Sequence, residues 1–198
     1  MIMHTFKRIF LVALIVMTPQ VALSASWKID PAHTAVEFKV RHLMVSWVKG
    51  VFTNVAGTVE INESDMSASN VKIQIETASI NTNNSKRDDH LRSPDFFDVS
   101  TYPMMVFVSK KVVAADNIPV KIIGDLTIRD VTKEVELDVE EFSGTVKDPW
   151  GNTRRGATAE TEINRKDFGL TWNKALEAGG VVVGDEVRIS LEVEMIQK

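Results

Sequence analysis

Beyond residue 25, hydrophobic and polar residues alternate along the chain with a period of two. The alternation is clearest over residues 71–76, 134–139 and 187–195, where apolar residues stand between charged or polar ones. Because successive side chains of a β-strand point to opposite faces, such runs predict strands with one dry face and one wet face. Five more runs of this kind occupy residues 36–40, 55–61, 104–113, 120–128 and 157–163.

Short polar segments separate these runs, and they contain the asparagine, aspartate, proline and glycine residues that favour turns. About eight strands with one apolar face and short connections predict an antiparallel sandwich or a closed up-and-down barrel. Periodicity alone does not distinguish the two. An outer-membrane barrel also alternates, but it needs aromatic girdles at both interfaces, and this chain has one Tyr and scattered Trp and Phe.

One segment, residues 81–102, departs from the strand pattern. Ser85 followed by Asp88 resembles a capping box, and Asp88 with Arg92 stands at the i, i+4 spacing of a favourable ion pair. Pro94 marks the predicted stop. We therefore predict one short helix in a long connection. In a hairpin-linked sheet, such a connection is either a lid over an opening or a plug in one end.

The first residues follow the three-part plan of a secretory signal peptide. Two basic residues precede an apolar run over 9–17, and small residues follow up to Ser24. The apolar run is too short to span a bilayer as a helix. We predict that residues 1–24 are removed by cleavage before Ala25, that the protein is exported to the periplasm, and that residues 25–198 form one domain.

Composition narrows the choice of partners and chemistry. Loss of the signal peptide removes Lys7 and Arg8, which moves the formal net charge from −4 to about −6. An acidic chain with no basic stripe predicts no nucleic acid partner. The chain has no Cys, which excludes disulfides, thiolate metal sites and cysteine nucleophiles. Its stability must therefore come from core packing.

The predicted mature chain has three histidines, His33, His42 and His90. No two stand at the i, i+4 spacing of a helical metal pair, so the sequence predicts no metal site. Ser93 lies near His90 and Asp88, but no nucleophile-elbow pattern surrounds it. We therefore predict no catalytic residue, and we interpret the histidines as hydrogen-bonded groups at strand ends.

The helical segment combines cationic groups with large apolar side chains. Its members are Arg87, His90 and Arg92 together with Leu91, Phe96 and Phe97. This mixture suits the mouth of an apolar cavity with a polar or anionic head group at its rim. The alternative is that the apolar side chains seal the core while the charged groups stay in water.

These residues also carry a family resemblance. The chain resembles the YceI family of periplasmic polyisoprenoid-binding proteins over essentially its whole predicted mature part. The block NNSKRDDHLRSPDFFDVSTYP at residues 83–103 is long and specific, and blocks at 27–52, 124–135 and 163–170 support it. The resemblance implies an all-β, lipocalin-like barrel of eight antiparallel strands. An elongated apolar tunnel would hold an isoprenoid chain, such as that of a quinone or a polyprenyl phosphate.

Carried onto this chain, the resemblance implies two groups of ligand-binding residues. The predicted apolar tunnel comprises Phe38, Val40, Trp47, Leu91, Phe96, Phe97 and Phe107. The predicted rim for a head group comprises His42, Arg87, His90 and Arg92. The isoprenoid lipid is then the ligand and partner, with no further cofactor.

Two other functions stay open at this point. One is an enzyme acting on a lipid-like substrate at the barrel mouth, with His42 or His90 as acid or base. The other is a structural or interaction module whose barrel is filled by side chains. We expect a protein that does not span the membrane, and a homodimer is left open.

Overall fold

The computed structural model describes residues 24–175 and 180–198. The predicted signal peptide, residues 1–24, lies outside this part except for its last residue. None of the helices described here has the length and apolar character needed to cross a membrane. Twelve strands occur in the described residues: β1 (Ala25–Ile29), β2 (Ala35–His42), β3 (Ser46–Phe52), β4 (Val55–Ile61), β5 (Asn70–Glu76), β6 (Ile80–Asn81), β7 (Met104–Ala115), β8 (Ile118–Ile128), β9 (Val131–Phe142), β10 (Val146–Lys147), β11 (Thr153–Asn164) and β12 (Val183–Gln197).

The strands form one closed antiparallel barrel with eight positions around its circumference. Three positions are each shared by two short strands in line: β1 with β2, β3 with β4, and β5 with β6. A 3₁₀ turn at Pro31–His33 separates β1 from β2, and both of these strands pair with β12. The other positions hold β7, β8, β9, β11 and β12. Since neighbours in the barrel follow each other along the chain, the predicted up-and-down barrel is confirmed.

Strand β3 is one element that the alternation did not reveal. Val48 and Phe52 alternate with Lys49 as expected, but two features hide the pattern. Trp47 pairs with the outward Arg41, so it places a large apolar ring on the outer face, where a polar residue is usual. Glycine at position 50 contributes no side chain to the inner face.

Most of the barrel interior is apolar, with buried Arg155 at one end and Arg165 at the other. On β12, residues Val187, Ile189, Leu191, Val193 and Met195 line the interior, and the polar residues between them point outward. The core divides into two packed clusters along the barrel axis. One lies in the half that carries the helix, and the other lies in the half where β1 begins and β12 ends.

Strands β9 and β11 are paired over only part of their length. Their register joins residues 157–160 of β11 to residues 138–142 of β9. In the helix half, residues 131–137 of β9 pair with β8, and residues 161–164 of β11 pair with β12, but the described residues show no pairing between these two stretches. Phe168 is buried and lines the groove between them.

The predicted short helix is confirmed as α1 (Ser85–Arg92). Its N-cap is Asn84, whose side-chain oxygen accepts a hydrogen bond from the Arg87 backbone N–H at 3.1 Å. The helix begins one residue earlier than a Ser85 cap would place it. It ends at Arg92, before the proline at position 94, as expected from the steric restriction that proline places on the preceding residue.

The predicted ion pair between Asp88 and Arg92 is wrong. The Asp88 carboxylate is buried and accepts hydrogen bonds from the Thr82 backbone N–H at 2.9 Å and from the Thr82 hydroxyl at 2.5 Å. Arg92 contacts Asp89 instead, at 3.3 Å. Leaving the buried Thr82 donors without an acceptor would cost more stability than an exposed Asp88–Arg92 ion pair would contribute. The Asp88 carboxylate therefore bonds to Thr82.

Candidate functional site

An apolar cavity of about 150 Å³ lies inside the helix half of the barrel. Its lining comes from strands all around the barrel and from the α1 connection, and its polar lining residues are Thr161 and Arg165. Six of the seven predicted tunnel residues line this cavity: Phe38, Val40, Leu91, Phe96, Phe97 and Phe107. The fold therefore brings together predicted tunnel residues from β2, β7 and the helical connection.

Aromatic rings in this cavity pack in a chain across the barrel. The Phe52 ring stands 5.7 Å from the Phe38 ring and 5.7 Å from the Phe97 ring, the latter edge-on. The Phe38 ring lies directly over Gly50, where a Cβ atom would come within 2.5 Å of the ring. Glycine at this position therefore leaves room for the Phe38 ring.

A second apolar cavity of about 80 Å³ lies in the other half of the barrel. Ser69 and Thr158 are its polar lining residues. Three side chains line both cavities: Ile73, Leu137 and Leu191. We call these three the central layer. All three are buried, so the central layer separates the two cavities and limits the length of any molecule that fits in one of them.

The structure does not bring Trp47 to the cavity. Its ring lies on the outer face of the β2–β3 hairpin, with the Arg41 guanidinium carbon 4.3 Å from the ring centroid. Arg188 stands at 5.3 Å and the Lys39 ammonium nitrogen at 5.8 Å from the same centroid. Trp47 is therefore part of a cationic outer surface.

The two predicted rim arginines hold the helix on the barrel. Arg87 donates from Nε to the Thr82 hydroxyl at 2.7 Å and from Nη2 to the Thr82 carbonyl at 2.8 Å. Arg92 donates from Nε to the Ala78 carbonyl at 2.9 Å and from Nη2 to the Ile80 carbonyl at 2.7 Å. Both guanidinium groups thus satisfy acceptors of the chain that leads into α1.

The two predicted rim histidines occupy different surroundings. His90 lies against the cavity-lining Phe96 at 5.0 Å and Trp172 at 4.8 Å, and its Nε2 is 2.9 Å from the Asp95 carboxylate. His42 ends β2, where its register partner is Val183, another cavity-lining residue. Both histidines therefore lie in the helix half, and His90 touches an aromatic side chain of the cavity itself.

Arg165 is a cavity residue that the sequence analysis missed. It is only 3% exposed and donates to the Gly184 carbonyl at 2.8 Å, to the Trp172 carbonyl at 3.0 Å, and to the Leu170 carbonyl. Burial lowers the pKa of Arg165 from its ordinary value, and the nearby Asp185 opposes that shift. The sequence held one signal for this residue. Arg165 is a basic residue just after a predicted strand, and it lies in the block at 163–170 that carries the family resemblance.

A further polar cluster lies in the other half of the barrel. Asp30, His33 and Glu194 bring ligand atoms within 4.8 Å of one another. The Arg154 guanidinium contacts the Asp30 carboxylate at 2.7 Å and the Glu194 carboxylate at 2.5 Å. It also contacts Asp148 at 2.7 Å. The guanidinium therefore supplies positive charge among these carboxylates.

Comparisons with known proteins agree with this architecture. A model of the YceI-like domain matches residues 27–195. The UPF0312 protein SAS2572 of Staphylococcus aureus strain MSSA476 is 40% identical over 166 residues, which cover 83% of this chain and 94% of that protein.

Solved structures show the same fold. The Campylobacter jejuni YceI protein is 33% identical with a TM-score of 0.66, and the match covers 81% of this chain and 91% of that one. A polyisoprenoid binding domain from Saccharophagus degradans, implicated in plant cell wall breakdown, is 14% identical with a TM-score of 0.62. That match covers 88% of this chain and 99% of the domain.

Proposed function

The chain belongs to the family of YceI-like domains, and on that premise we propose that it binds a long-chain isoprenoid lipid inside its barrel. The lipid is an isoprenoid quinone or a polyprenyl phosphate, and the protein carries it in the periplasm after removal of residues 1–24. The lipid is the ligand of a binding protein and is not turned over.

The observation that carries this proposal is the almost wholly apolar lining of the two cavities. Ligand pockets for apolar molecules combine such a lining with a few polar groups that fix orientation. Here the first cavity has Thr161 and Arg165 among 23 lining residues. The polyisoprenoid binding domain from Saccharophagus degradans has the same fold, which supports an elongated apolar ligand for this barrel.

The size of the cavities determines how a long chain would fit. A cavity of about 150 Å³ accommodates a guest about the size of benzene. A long isoprenoid must therefore push aside side chains of the central layer and join the two cavities. Rotation of Leu137 and Leu191 offers such a path, since each lines both cavities.

Burial of the chain is the main source of free energy for binding and for this repacking. A chain of about forty carbons has roughly 600–800 Å² of apolar surface, worth on the order of 15–20 kcal/mol when buried at ~25 cal/mol per Å². Association and chain ordering offset roughly 4–15 kcal/mol of this. The part that remains is the free energy available for repacking the central layer and for affinity.

One contact argues against Ser93 as a nucleophile in the helix half. The Ser93 hydroxyl donates to the His90 backbone carbonyl at 2.7 Å, so this serine is engaged as a helix C-cap. The two cavities in the core favour a ligand-binding barrel over a packed structural module.

Organic extraction of the natively purified protein followed by mass spectrometry tests the proposal. We expect a co-purifying molecule with the repeating mass of an isoprenoid chain. A matched pair of variants on β12 then locates it. Val187→Phe adds bulk to the first cavity and should abolish lipid retention, whereas Glu186→Phe on the outer face should leave it unchanged. Protein that folds, carries no lipid and fails to bind added isoprenoid quinone or polyprenyl phosphate would contradict the proposal.

A further inference from the structure

The turn between β2 and β3 exposes three consecutive apolar residues. Leu43, Met44 and Val45 are 37%, 56% and 79% exposed. Single exposed apolar residues are common on protein surfaces, but three in a row at a hairpin turn form a continuous apolar tip. We call these three residues the hairpin tip.

The backbone of the hairpin tip is strained in a way that apolar residues do not favour. Leu43 has a φ of 51° and Met44 a φ of 61°, both in the left-handed region. Two-residue hairpin turns with this geometry prefer Asn-Gly or Asp-Gly. Leucine and methionine therefore oppose both the local backbone preference and the preference for polar groups in water. Departures of this kind are expected where the residues serve function rather than folding.

A cationic band lies directly behind the hairpin tip. Arg41 pairs across the hairpin with Trp47, and Lys39 pairs with Lys49. Arg41, Lys39 and Arg188 lie within 6 Å of the Trp47 ring centroid.

Acidic groups lie close by, since Arg188 contacts Glu162 at 2.8 Å, and Asp185 and Glu186 line the same groove as Arg41 and Trp47. Asp185 is itself paired with Lys166 at 2.8 Å. Within the described residues Lys39, Arg41 and Lys49 form no salt bridge, so the positive charge of the band rests on these three.

The order of these groups along the hairpin matches the layers of a membrane. A strand advances about 3.4 Å per residue, so Arg41 and Trp47 lie about 7 Å behind the turn, and Lys39 and Lys49 about 13 Å behind it. The headgroup region of a bilayer is roughly 5–8 Å thick on each side. With the tip in the hydrocarbon, Trp47 and Arg41 lie at the depth of the headgroups, and Lys39 and Lys49 lie just outside them, where cations are still attracted to an anionic surface.

We propose that the hairpin tip docks the protein on an anionic lipid bilayer, inserting Leu43, Met44 and Val45 below the headgroups while Arg41 contacts lipid phosphates and Lys39 and Lys49 face the anionic surface. The chain as a whole has a formal net charge of −4, so attraction to an anionic surface must come from a local group of cations such as this band. A tip of three apolar side chains can insert into a fluid lipid surface, but it is much smaller than the area that a stable protein partner needs.

This docking places the first cavity next to the membrane. His42, at the base of the hairpin tip, has as its register partner Val183, which lines that cavity. The docking surface lies outside the barrel, so its action does not depend on which molecule the cavities hold. Vesicles without any isoprenoid therefore test docking separately from lipid retention.

The absence of Cys allows a position-specific test with the full-length mature protein. Val45→Cys is labelled with an environment-sensitive fluorophore. The matched control is Trp150→Cys, because Trp150 is 80% exposed in the β10–β11 hairpin, which lies at the other end of β12. Vesicles of phosphatidylethanolamine with phosphatidylglycerol should shift the emission of the label at position 45 to the blue and leave the label at position 150 unchanged. Phosphatidylcholine vesicles should give a smaller shift, and high salt should reduce both.

Vesicle co-sedimentation of unlabelled variants completes the test. Arg41→Gln should weaken vesicle binding about fivefold, the factor expected for one interfacial cation. The double variant Leu43→Asn with Met44→Gly gives the turn its preferred residues, so it should melt at a higher temperature than the wild type while losing vesicle binding. Sedimentation of this variant at the wild-type level would overturn the proposal. So would a shift only at position 150, or a shift at position 45 that follows protein concentration without vesicles.

Discussion

Phe38 and Trp47 lie in the same sequence block, yet their rings face opposite sides of the barrel wall. Phe38 is opposite Gly50 in the β2–β3 register, whereas Trp47 is opposite Arg41. Side chains of opposed residues share a face of the sheet, so the outward Arg41 fixes the outward position of Trp47. Placing Trp47 on the outer face requires the β2–β3 register, and that register depends on the turn between the two strands.

The turn itself explains why the register could not be predicted. A two-residue hairpin turn with Asn-Gly is the strongest short-range register signal. Here the turn residues are Leu43 and Met44, which resemble strand or core residues. The sequence therefore predicted the tunnel aromatic residues Phe38 and Phe107 from alternation and family resemblance, but it placed Trp47 on the wrong side.

The Asp30 carboxylate leads to a prediction on pH. Hydrogen bonds from His33 and from Arg154 lower the pKa of Asp30 from 3.8 to about 2. Because the pKa is lower in the folded state, this carboxylate contributes stability that is complete above about pH 4 and is lost as the pH falls through about 2. The free energy of unfolding should therefore differ between wild type and Asp30→Asn at neutral pH, and this difference should shrink between about pH 4 and pH 2.

Urea unfolding at a series of pH values measures this difference. Asp167→Asn is a suitable control, since Asp167 is exposed in the 3₁₀ turn after β11. A difference between wild type and Asp30→Asn that stays constant from neutral pH down to about pH 2 would show that the Asp30 contacts do not stabilise the ionised form.

At the level of elements, α1 was predicted correctly, but its attachment to the barrel was not. Short sequence signals describe helix ends well, because caps and prolines act locally. The partners of Arg87 and Arg92 are backbone oxygens of Ala78, Ile80 and Thr82, which no spacing rule identifies. The same cationic side chains that suggested a lipid rim are therefore used to fasten the helix.

The buried contact of Asp88 with Thr82 makes this attachment testable. Asp88→Ala leaves the Thr82 backbone N–H and hydroxyl without their acceptor, so we expect a loss of about 1–3 kcal/mol in the free energy of unfolding. Asp89→Ala, one residue along and exposed, should change it by less than about 0.5 kcal/mol. Denaturant unfolding of both variants gives the comparison, and equal effects would contradict a specific role for the buried carboxylate.

At the scale of the whole molecule, the eight predicted apolar runs fall one to each position of the barrel. The alternation did not predict four short strands, β1, β3, β6 and β10. Three of these, β1, β3 and β6, share a barrel position with a strand that was predicted. Closure was the feature that alternation left open. It depends on the pairing of β12 with β11 on one side and with β1 and β2 on the other, which is a relation between distant segments.

The central layer predicts how cavity length controls ligand choice. Leu191→Ala removes a side chain that lines both cavities, so the cavities should merge and binding should shift toward longer isoprenoid chains. The same change should lower the free energy of unfolding by about 2–5 kcal/mol. Glu192→Ala, on the outer face of β12, is the matched control.

Displacement titrations with a short and a long isoprenoid quinone measure the preference of each variant. The ratio of the two dissociation constants should change for Leu191→Ala and stay at the wild-type value for Glu192→Ala. An unchanged ratio in a folded Leu191→Ala protein would mean that the ligand does not pass the central layer.

Strand β12 pairs with β11 on one side and with β1 and β2 on the other, so the barrel can close only after β12 has been synthesised. Its residues 183–192 pair with β2 and its residues 195–197 pair with β1, so the last described strand joins the first two. Contacts this distant in sequence give a high contact order, which slows folding. A chain that emerges N-terminus first cannot close the barrel until β12 is available, so its apolar residues stay exposed to water until then. During that interval, the surface that later lines the cavities is available to chaperones and to other unfolded chains.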